Sequence, residues 1–305
     1  MLAEMVRIES ASGGFCVGWG GSLIIRRNAG DSCGLFSIYT SVLSWLIFAD
    51  EHGMTPIVDL KTYLSPYLEW WEVGRKNAWD FYFEQPVANY SLRDFERSKD
   101  VQIVYGDSAP DIPSFYDILD DQRSIERWRL VANRYAPLRL EVLERYQNPD
   151  FEAALSSGIV GVLARGTDHV NLRLKGHFIQ PSFDQLIARA DSFLARLPIK
   201  TKVYLVTEDV NILGEFKKYY GDRLIISRQH ISPYTGGAIA KHVAMTGKRR
   251  EHGAAYLKAV YDLARCQYFI GGRNNGMKAA MIMSHGFKES YVFNLGTYDC
   301  PISTT

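Results

Sequence analysis

Strand-like and helix-like patterns alternate along most of this chain. Short apolar runs such as Ser22–Arg26, Val101–Tyr105 and residues 202–207 are separated by longer stretches in which apolar residues recur every three or four positions. Two neighbouring parallel strands must be joined by a long crossover, which is usually a helix. The alternation therefore predicts an α/β protein with largely parallel sheets.

The predicted strands fall into two series. The first lies at residues 22–26, 57–60 and 101–105, with helices predicted from Leu35 to Gly53 and over residues 122–146. The second follows the boundary-like sequence QNPDFEAALSSG and has strands at residues 159–165, 202–207, 223–227, 268–272 and 291–295. One of its helices is predicted to begin at Pro181, and two more are predicted over residues 256–266 and 277–284. Since 305 residues exceed a typical single domain, we predict a junction at about residue 150, with domains over 1–150 and 151–305.

The balance of charge and hydropathy argues against several classes of protein. Lys and Arg number 35 against 34 Asp and Glu, so the formal net charge is +1 and no nucleic-acid partner is expected. The longest strongly apolar run, residues 39–49, is far shorter than the roughly 20 residues that cross a bilayer. Charged residues interrupt the first ten positions, so neither a transmembrane segment nor a signal peptide is predicted and a cytoplasmic location is expected.

The cysteines and histidines show no spacing typical of a metal site. Cys16, Cys33, Cys266 and Cys300 are widely scattered, and no HExxH-like pair occurs. We interpret the cysteines as free thiols in a reducing compartment, and no metal is expected.

Three candidate sites follow predicted strands of the second series, where ligands bind in open α/β sheets. They are ARGTDHV, with Arg165, Asp168 and His169; TED, at residues 207–209; and GGRNNG, at residues 271–276. The glycines of GGRNNG, including Gly272 and Gly276, would let the backbone approach a ligand, and the helix that follows would present amides to a phosphate. Arg273 would add a cation, while Asn274 and Asn275 either tolerate unusual dihedral angles or cap the helix.

Each motif also has a purely structural interpretation. GGRNNG is equally consistent with a tight strand-to-helix turn that carries an exposed arginine, and it matches neither a P-loop nor a GxGxxG fingerprint. Arg165 would then pair with Asp168 or Asp209 and join two strand ends, and Thr207 with its neighbours would cap a helix. A histidine such as His169 is more often a hydrogen-bonded surface residue than a catalyst.

The order of these motifs resembles the donor-binding half of the metal-independent fucosyltransferases. ARGTDHV is followed by His177, a helix, VYLVTED, a helix, KKYYGDRLI, AVYDLARCQYFIGG and RNNG, over residues 158–297. The most similar groups are the α-1,6-fucosyltransferases, including the rhizobial nodulation enzymes, and more distantly the protein O-fucosyltransferases. The sequence NAGDSCGLFSIYTSVLSWLIFADEHGMTPIVD is similar to the loop, helix and strand that open the nodulation enzymes.

This resemblance implies a GT-B architecture of two Rossmann-like domains, with an acceptor-side N-terminal domain and GDP-fucose held by the C-terminal one. No metal or other cofactor is implied. Arg165 matches the first arginine of the family's RRTD-like motif, which binds the diphosphate. The turn at Gly272–Gly276 matches one that contacts the nucleotide, and Thr207 lies in a matching strand end.

Three positions depart from the family pattern. Leu163 stands where many relatives have His, Gly166 replaces the second arginine, and Arg173 replaces the acidic base of the α-1,6 enzymes. The resemblance therefore assigns no base. His169 and Asp168 are candidates within reach, and a reaction that needs no strong base is a further alternative.

The sequence as a whole predicts an inverting glycosyltransferase that moves fucose, or a related deoxyhexose, from a GDP-sugar to a saccharide acceptor. The alternative is a noncatalytic module that binds a nucleotide sugar or a glycan on the same scaffold. The loop NAGDSCG is expected on the acceptor side. Trp70, Trp71, Trp79 and Tyr82 are expected either to stack on sugars or to pack in a core or lid. Residues 232–253 are predicted to form a mobile basic loop.

Overall fold

The computed structural model describes two compact units. The residues it describes are 7–10, 21–28, 33–88, 91–106, 108–229, 231, 236 and 247–302. The first unit takes Met1–Leu140 with Thr246–Gly253, and the second takes Glu141–Met245 with Ala254–Thr305. Each unit contains its own sheet.

Strands and helices alternate in both units. The strands are β1 Arg7–Ser10, β2 Ser22–Arg26, β3 Thr55–Val58, β4 Val101–Tyr105, β5 Ile159–Leu163, β6 Lys202–Val206, β7 Leu224–Ile226, β8 Tyr268–Gly272, β9 Glu289–Phe293, β10 Gly296–Thr297 and β11 Cys300–Pro301. The helices are α1 Leu35–Glu51, α2 Leu92–Glu96, α3 Gln122–Tyr135, α4 Leu140–Arg145, α5 Pro149–Ala154, α6 Thr167–Leu172, α7 Phe183–Leu194, α8 Val210–Tyr220, α9 Arg249–Ala264 and α10 Asn275–Met283. This confirms the predicted α/β class.

The sheet of the first unit has the strand order β1-β4-β2-β3. Strand β2 pairs in parallel with both β3 and β4, and β1 pairs with β4 in the antiparallel direction. Helix α1 connects β2 to β3 and is buried over most of its length. It ends where the sequence predicts, because Gly53 adopts a φ of 62° that other residues rarely take.

The sheet of the second unit is parallel throughout and has the order β7-β6-β5-β8-β9. Alternate residues of its central strand face opposite sides. Val160 and Val162 pack into a cluster with residues of α7 and α8. A Cβ atom on Gly161 would meet Leu263 and Cys266 at the end of α9, so this glycine allows α9 to pack closely on the other face.

The structure corrects two predictions about single elements and adds a strand that was not predicted. The predicted helix 122–146 is broken into α3 and α4, because Pro137 lacks an amide proton and restricts Ala136 before it. Helix α7 begins with Ser182 as its cap, one residue after Pro181. Strand β1 was not predicted, since four residues at an antiparallel edge give little pattern.

The predicted basic loop is wrong at its C-terminal end. Helix α9 begins at Arg249, so Arg249 and Arg250 belong to a helix and not to a loop. Arg249 donates to the carbonyl oxygen of Leu68 over 2.6 Å, and Arg250 pairs with Glu72, which fixes both side chains. Residues 232–235 and 237–246 of that segment, with Lys241, lie outside the described residues.

Candidate functional site

The strand order of the second unit creates a topological switch point. From β5 the chain proceeds through β6 to β7 on one side, and it then returns through α9 to β8 and β9 on the other side. Strands β5 and β8 are therefore neighbours whose following loops lead in opposite directions. Ligands of open α/β sheets bind in the crevice at such a point, at the carboxyl ends of the strands. ARGTDHV follows β5 and GGRNNG overlaps the end of β8, so two predicted motifs flank this crevice.

Arg165 is held by an acidic residue from the neighbouring strand end. Its Nε lies 3.4 Å from Oε1 of Glu208, and both side chains are largely buried. The same oxygen accepts from the hydroxyl of Thr167 at 3.0 Å and from the amide of Gly166 at 3.3 Å. Glu208 therefore fixes three successive residues, and the guanidinium is oriented before any ligand arrives.

Asp209 closes the same loop from the other side. Its Oδ2 accepts from the amide of Thr167 at 3.1 Å, while its Oδ1 caps α8 by accepting from the amides of Asn211 and Ile212. A Cβ atom on Gly166 would collide with this carboxylate. The absence of a side chain at Gly166 is thus a steric requirement of the Asp209 position.

Thr167 has a strained backbone. Its φ is 43°, a region that a β-branched residue rarely adopts, and its side chain is buried. Hydrogen bonds to Glu208 and Asp209 hold it there. Such strain persists only where the surroundings over-determine it, and it concentrates at functional sites.

A pocket of about 480 Å³ opens beside this loop. Its volume lies within the range of small-molecule sites. The polar residues on its wall include Arg165, Asn171, Gln180, Asp209 and Glu215. Its apolar wall is formed by residues of the α6 to α8 region and the C-terminal segment, among them Val170, Ile179, Phe183, Ile212, Leu295 and Ile302.

The turn after β8 is built as a helix cap. Asn274 is buried, and its Oδ1 accepts a hydrogen bond from the amide of Met277 at 2.9 Å. This hydrogen bond caps the start of α10. The Nδ2 of Asn274 donates to Gln180 at 3.0 Å, and Gln180 in turn donates to the carbonyl oxygen of Arg273 at 2.9 Å. Gln180 lines the pocket, so it links the turn at Gly272–Gly276 to the pocket wall.

Glycines in this turn are required by close packing. A Cβ atom on Gly272 would lie 2.6 Å from Pro181, and one on Gly276 would lie 2.6 Å from the hydroxyl of Tyr256. The guanidinium of Arg273 lies over the ring of Phe178 at 5.6 Å. None of Arg273, Asn275 or Gly276 lines the pocket, so their predicted contact with a diphosphate stays a prediction.

Thr207, Asp168 and His169 are the remaining predicted site residues, and the structure describes the side chain of Thr207 alone among them. Thr207 is buried and accepts from the amide of Asp209 at 3.2 Å, which orders the strand end. Asp168 and His169 lie in α6, and their side chains are outside the described structure. Their catalytic roles therefore stay predictions.

The aromatic cluster divides into two kinds of residue. Trp79 and Tyr82 are buried in the first unit, where Trp79 stacks on Phe83 at 4.3 Å. Trp70 and Trp71 are exposed and lie edge to face at 5.5 Å. Burial excludes sugar stacking for the first pair as the structure stands. Residues 29–32 of the NAGDSCG loop lie outside the described residues.

The sequence analysis gave no individual role to three residues of the site. Glu208 lies inside the TED motif, and its place after a buried strand was the available signal. Gln180 and Glu215 stand in a loop and on a helix face, with no pattern of residues to mark them. Only the fold brings them to the pocket.

The architecture of this protein is shared with solved structures. A parallel sheet with a switch point and a second unit with its own mainly parallel sheet form the predicted GT-B-like α/β architecture, and this fold is confirmed by solved structures. One is NodZ alpha-1,6-fucosyltransferase co-crystallised with GDP, at a TM-score of 0.51 and 17% identity over 87% of this chain and 93% of that one. Another is a mutant of Arabidopsis thaliana FUT1 in complex with GDP, at a TM-score of 0.51 and 12% identity over 89% of this chain and 70% of that one.

No family model matches the chain, and no curated protein matches it. Within the described residues, no helix is long and apolar enough to cross a membrane. No group of three or more metal-ligating side chains occurs among them either.

Proposed function

We propose that this protein is a glycosyltransferase that takes its donor sugar from GDP-fucose or a related GDP-deoxyhexose. The observation that carries this proposal is the position of Arg165, held by Glu208 at the switch point of a fucosyltransferase-like fold. Both structural neighbours described above were solved with GDP, which supports a guanine nucleotide donor. The acceptor is a saccharide, the configuration at the transferred carbon is inverted, and no metal takes part.

Arg165 acts on the leaving group. As the bond between the sugar and the diphosphate breaks, negative charge develops on the diphosphate oxygen. A guanidinium fixed in advance stabilises that charge without a reorganisation cost, and it offers two parallel donors to phosphate oxygens. The amides at the start of α10 and the guanidinium of Arg273 bind the nucleotide from the other side of the switch point. Gln180 binds the turn at Arg273 and Asn274 and also lines the pocket beside Arg165, so it lies between these two parts of the donor site.

A noncatalytic binding module is the second candidate. The observation in its favour is Gly166, because the place of the family's second arginine is closed by the carboxylate of Asp209. A site with one fewer cation stabilises a leaving diphosphate less. Transfer itself therefore separates the two candidates.

Ligand-induced stabilisation tests the donor, and product formation tests the reaction. The melting temperature is measured with GDP, UDP, CMP and their sugars, since a ligand that binds only the folded protein raises it. We expect the largest rise with GDP and GDP-fucose. Release of GDP from GDP-fucose is then measured with a panel of neutral oligosaccharides. A preference for UDP or CMP would contradict the donor, and tight GDP-fucose binding without transfer would favour the module.

The expected cellular location follows from the thiols. Cys33, Cys266 and Cys300 are free cysteines, which supports a reducing, cytoplasmic compartment. The state of the cysteines in protein purified from its natural source tests this.

A further inference from the structure

The pocket beside Arg165 contains a carboxylate that the donor site leaves unused. The charged side chains on its wall are Arg165, Asp209 and Glu215. Two acidic groups against one cation disfavour a phosphate over most of this pocket. Carboxylate and amide groups beside an apolar wall are instead suited to a polyhydroxylated sugar ring, whose hydroxyl groups they bind and whose C–H faces the apolar residues cover.

The acidic residues around the Arg165 loop differ in what they already bind. Glu208 accepts from Gly166 and Thr167 and faces Arg165. Asp209 accepts from three backbone amides through its two oxygens. Protonation of either would break hydrogen bonds that hold the loop, so both serve as fixed acceptors.

Glu215, unlike Glu208 and Asp209, does not accept a hydrogen bond from the Arg165 loop. It lies on α8 one turn after Asn211, it is exposed, and it lines the pocket. No hydrogen bond or ion pair with another described residue engages its carboxylate. On its own helix Lys218 is the charged neighbour one turn on, and across the pocket the charged groups are Arg165 and Asp209. A carboxylate placed in this way can accept a proton from a bound hydroxyl group.

We infer that this pocket receives the acceptor sugar and that Glu215 is the general base, a conclusion that rests on the proposed transferase function. The acceptor hydroxyl oxygen forms a bond to the anomeric carbon while its proton passes to the Glu215 carboxylate. The bond from the anomeric carbon to the diphosphate oxygen breaks, and its electron pair leaves with GDP, whose charge Arg165 stabilises.

The decisive experiment compares Glu215→Gln with a charge-matched control, Glu144→Gln, on the exposed face of α4. Transfer from GDP-fucose to the best oligosaccharide of the panel is followed as GDP release across pH, and the Kd of GDP is measured by calorimetry. We expect Glu215→Gln to lower kcat by at least ~10²-fold and to remove the acidic limb of the rate profile, because a general base contributes about 10²–10⁴-fold. The GDP Kd should change less than about twofold, and Glu144→Gln should behave as the unsubstituted protein.

Several outcomes would overturn the inference. An unchanged kcat and acidic limb in Glu215→Gln would remove this residue from proton transfer. A tenfold weaker GDP affinity would mean that the pocket holds the donor. Loss of the limb in His169→Ala or Asp168→Asn, with Glu215→Gln unaffected, would place the base in α6. An unsubstituted protein that binds GDP-fucose but transfers to no acceptor would refute the transferase function itself, and the inference with it.

Discussion

Gly166 and Asp209 share one space at the end of β5. The carboxylate of Asp209 reaches the amide of Thr167 only because Gly166 has no side chain. Gly166 therefore makes room for an internal brace, so this single residue determines how rigidly the loop is held.

Substitution of Gly166 tests this brace. We expect Gly166→Ala to lower the free energy of unfolding by about 1–3 kcal/mol, because an added methyl group must displace the Asp209 side chain. Urea unfolding measures the change. The matched control is Gly214→Ala in α8, where a Cβ atom meets nothing within 4 Å. It should stabilise the protein by about 0.5–1 kcal/mol, since alanine is the better helix former. Equal effects of the two substitutions would contradict the steric account.

Arg165 should matter for turnover and Arg273 for affinity. We expect Arg165→Ala to reduce kcat by at least ~10²-fold while leaving the fold intact, because the guanidinium stabilises charge that appears only in the transition state. Arg273→Ala should raise the Kd of GDP more than it lowers kcat. Steady-state rates and calorimetry measure both quantities. A fully active Arg165→Ala protein, or one that fails to fold, would show that this role is wrong.

In the second unit an ion pair joins Glu152 of α5 to Arg265, the residue that directly follows α9. Arg265 donates to both oxygens of Glu152, at 2.6 and 2.8 Å. Arg265 also contacts Asp262, which pairs at 2.5 Å with the buried Lys258 one turn earlier. Burial raises the pKa of Asp262, opposed by its two cationic neighbours. Arg265 therefore connects the exposed ion pair with Glu152 to the buried pair of Lys258 and Asp262 on α9.

Acid should weaken the connection between α5 and α9. Hydrogen bonds from Arg265 lower the pKa of Glu152 from its ordinary 4.5. A carboxylate with a lowered pKa stabilises the folded state above its unfolded pKa, and this contribution is lost as pH falls through the folded pKa. We expect Glu152→Gln to cost about 0.2–1 kcal/mol at pH 7, as for a partly exposed pair, and progressively less below about pH 4.5. Urea unfolding at several pH values measures it, with Glu144→Gln as the control. A cost that is independent of pH would refute the electrostatic explanation.

For the molecule as a whole, the parallel sheet of the second unit decides where chemistry can occur. Residues far apart in sequence, Arg165, Gln180, Glu208 and Asn274, meet because β5, β6 and β8 end at one edge. A site assembled in this way provides its charge from side chains and helix termini. The proposed mechanism accordingly requires no metal ion.

Removal of metal ions tests the mechanism at this scale. We expect GDP release from GDP-fucose to persist in excess EDTA, because Arg165 and backbone amides stabilise the negative charge that develops on the leaving diphosphate. Rates with and without chelator measure this, and chelator-treated protein with added Mn²⁺ or Mg²⁺ is the control. Loss of activity on chelation, followed by recovery with either ion, would contradict the metal-free mechanism.

Predictions from sequence succeeded where the pattern is local. The central strands β5 and β8 were found because strands buried on both faces are continuous apolar runs bounded by turn residues. Helix α9 was placed seven residues too late, since the ion pairs of Arg249 and Arg250 that fix its start involve distant residues. The predicted junction near residue 150, between an acceptor-side domain and a donor-binding domain, stays a prediction. The compact units divide at Leu140, and they assign Thr246–Gly253 to the first unit.

The α/β class, the parallel strands and the motif that contains Arg165 could all be predicted from the amino-acid sequence, because periodicity, turn residues and motif order are properties of neighbouring residues. The surroundings of that arginine depend on the tertiary structure. Glu208 holds Arg165, Asp209 excludes a side chain at Gly166, and Glu215 reaches the same pocket. These relations depend on which strand ends lie side by side, and burial and hydrogen bonding across the sheet set that arrangement.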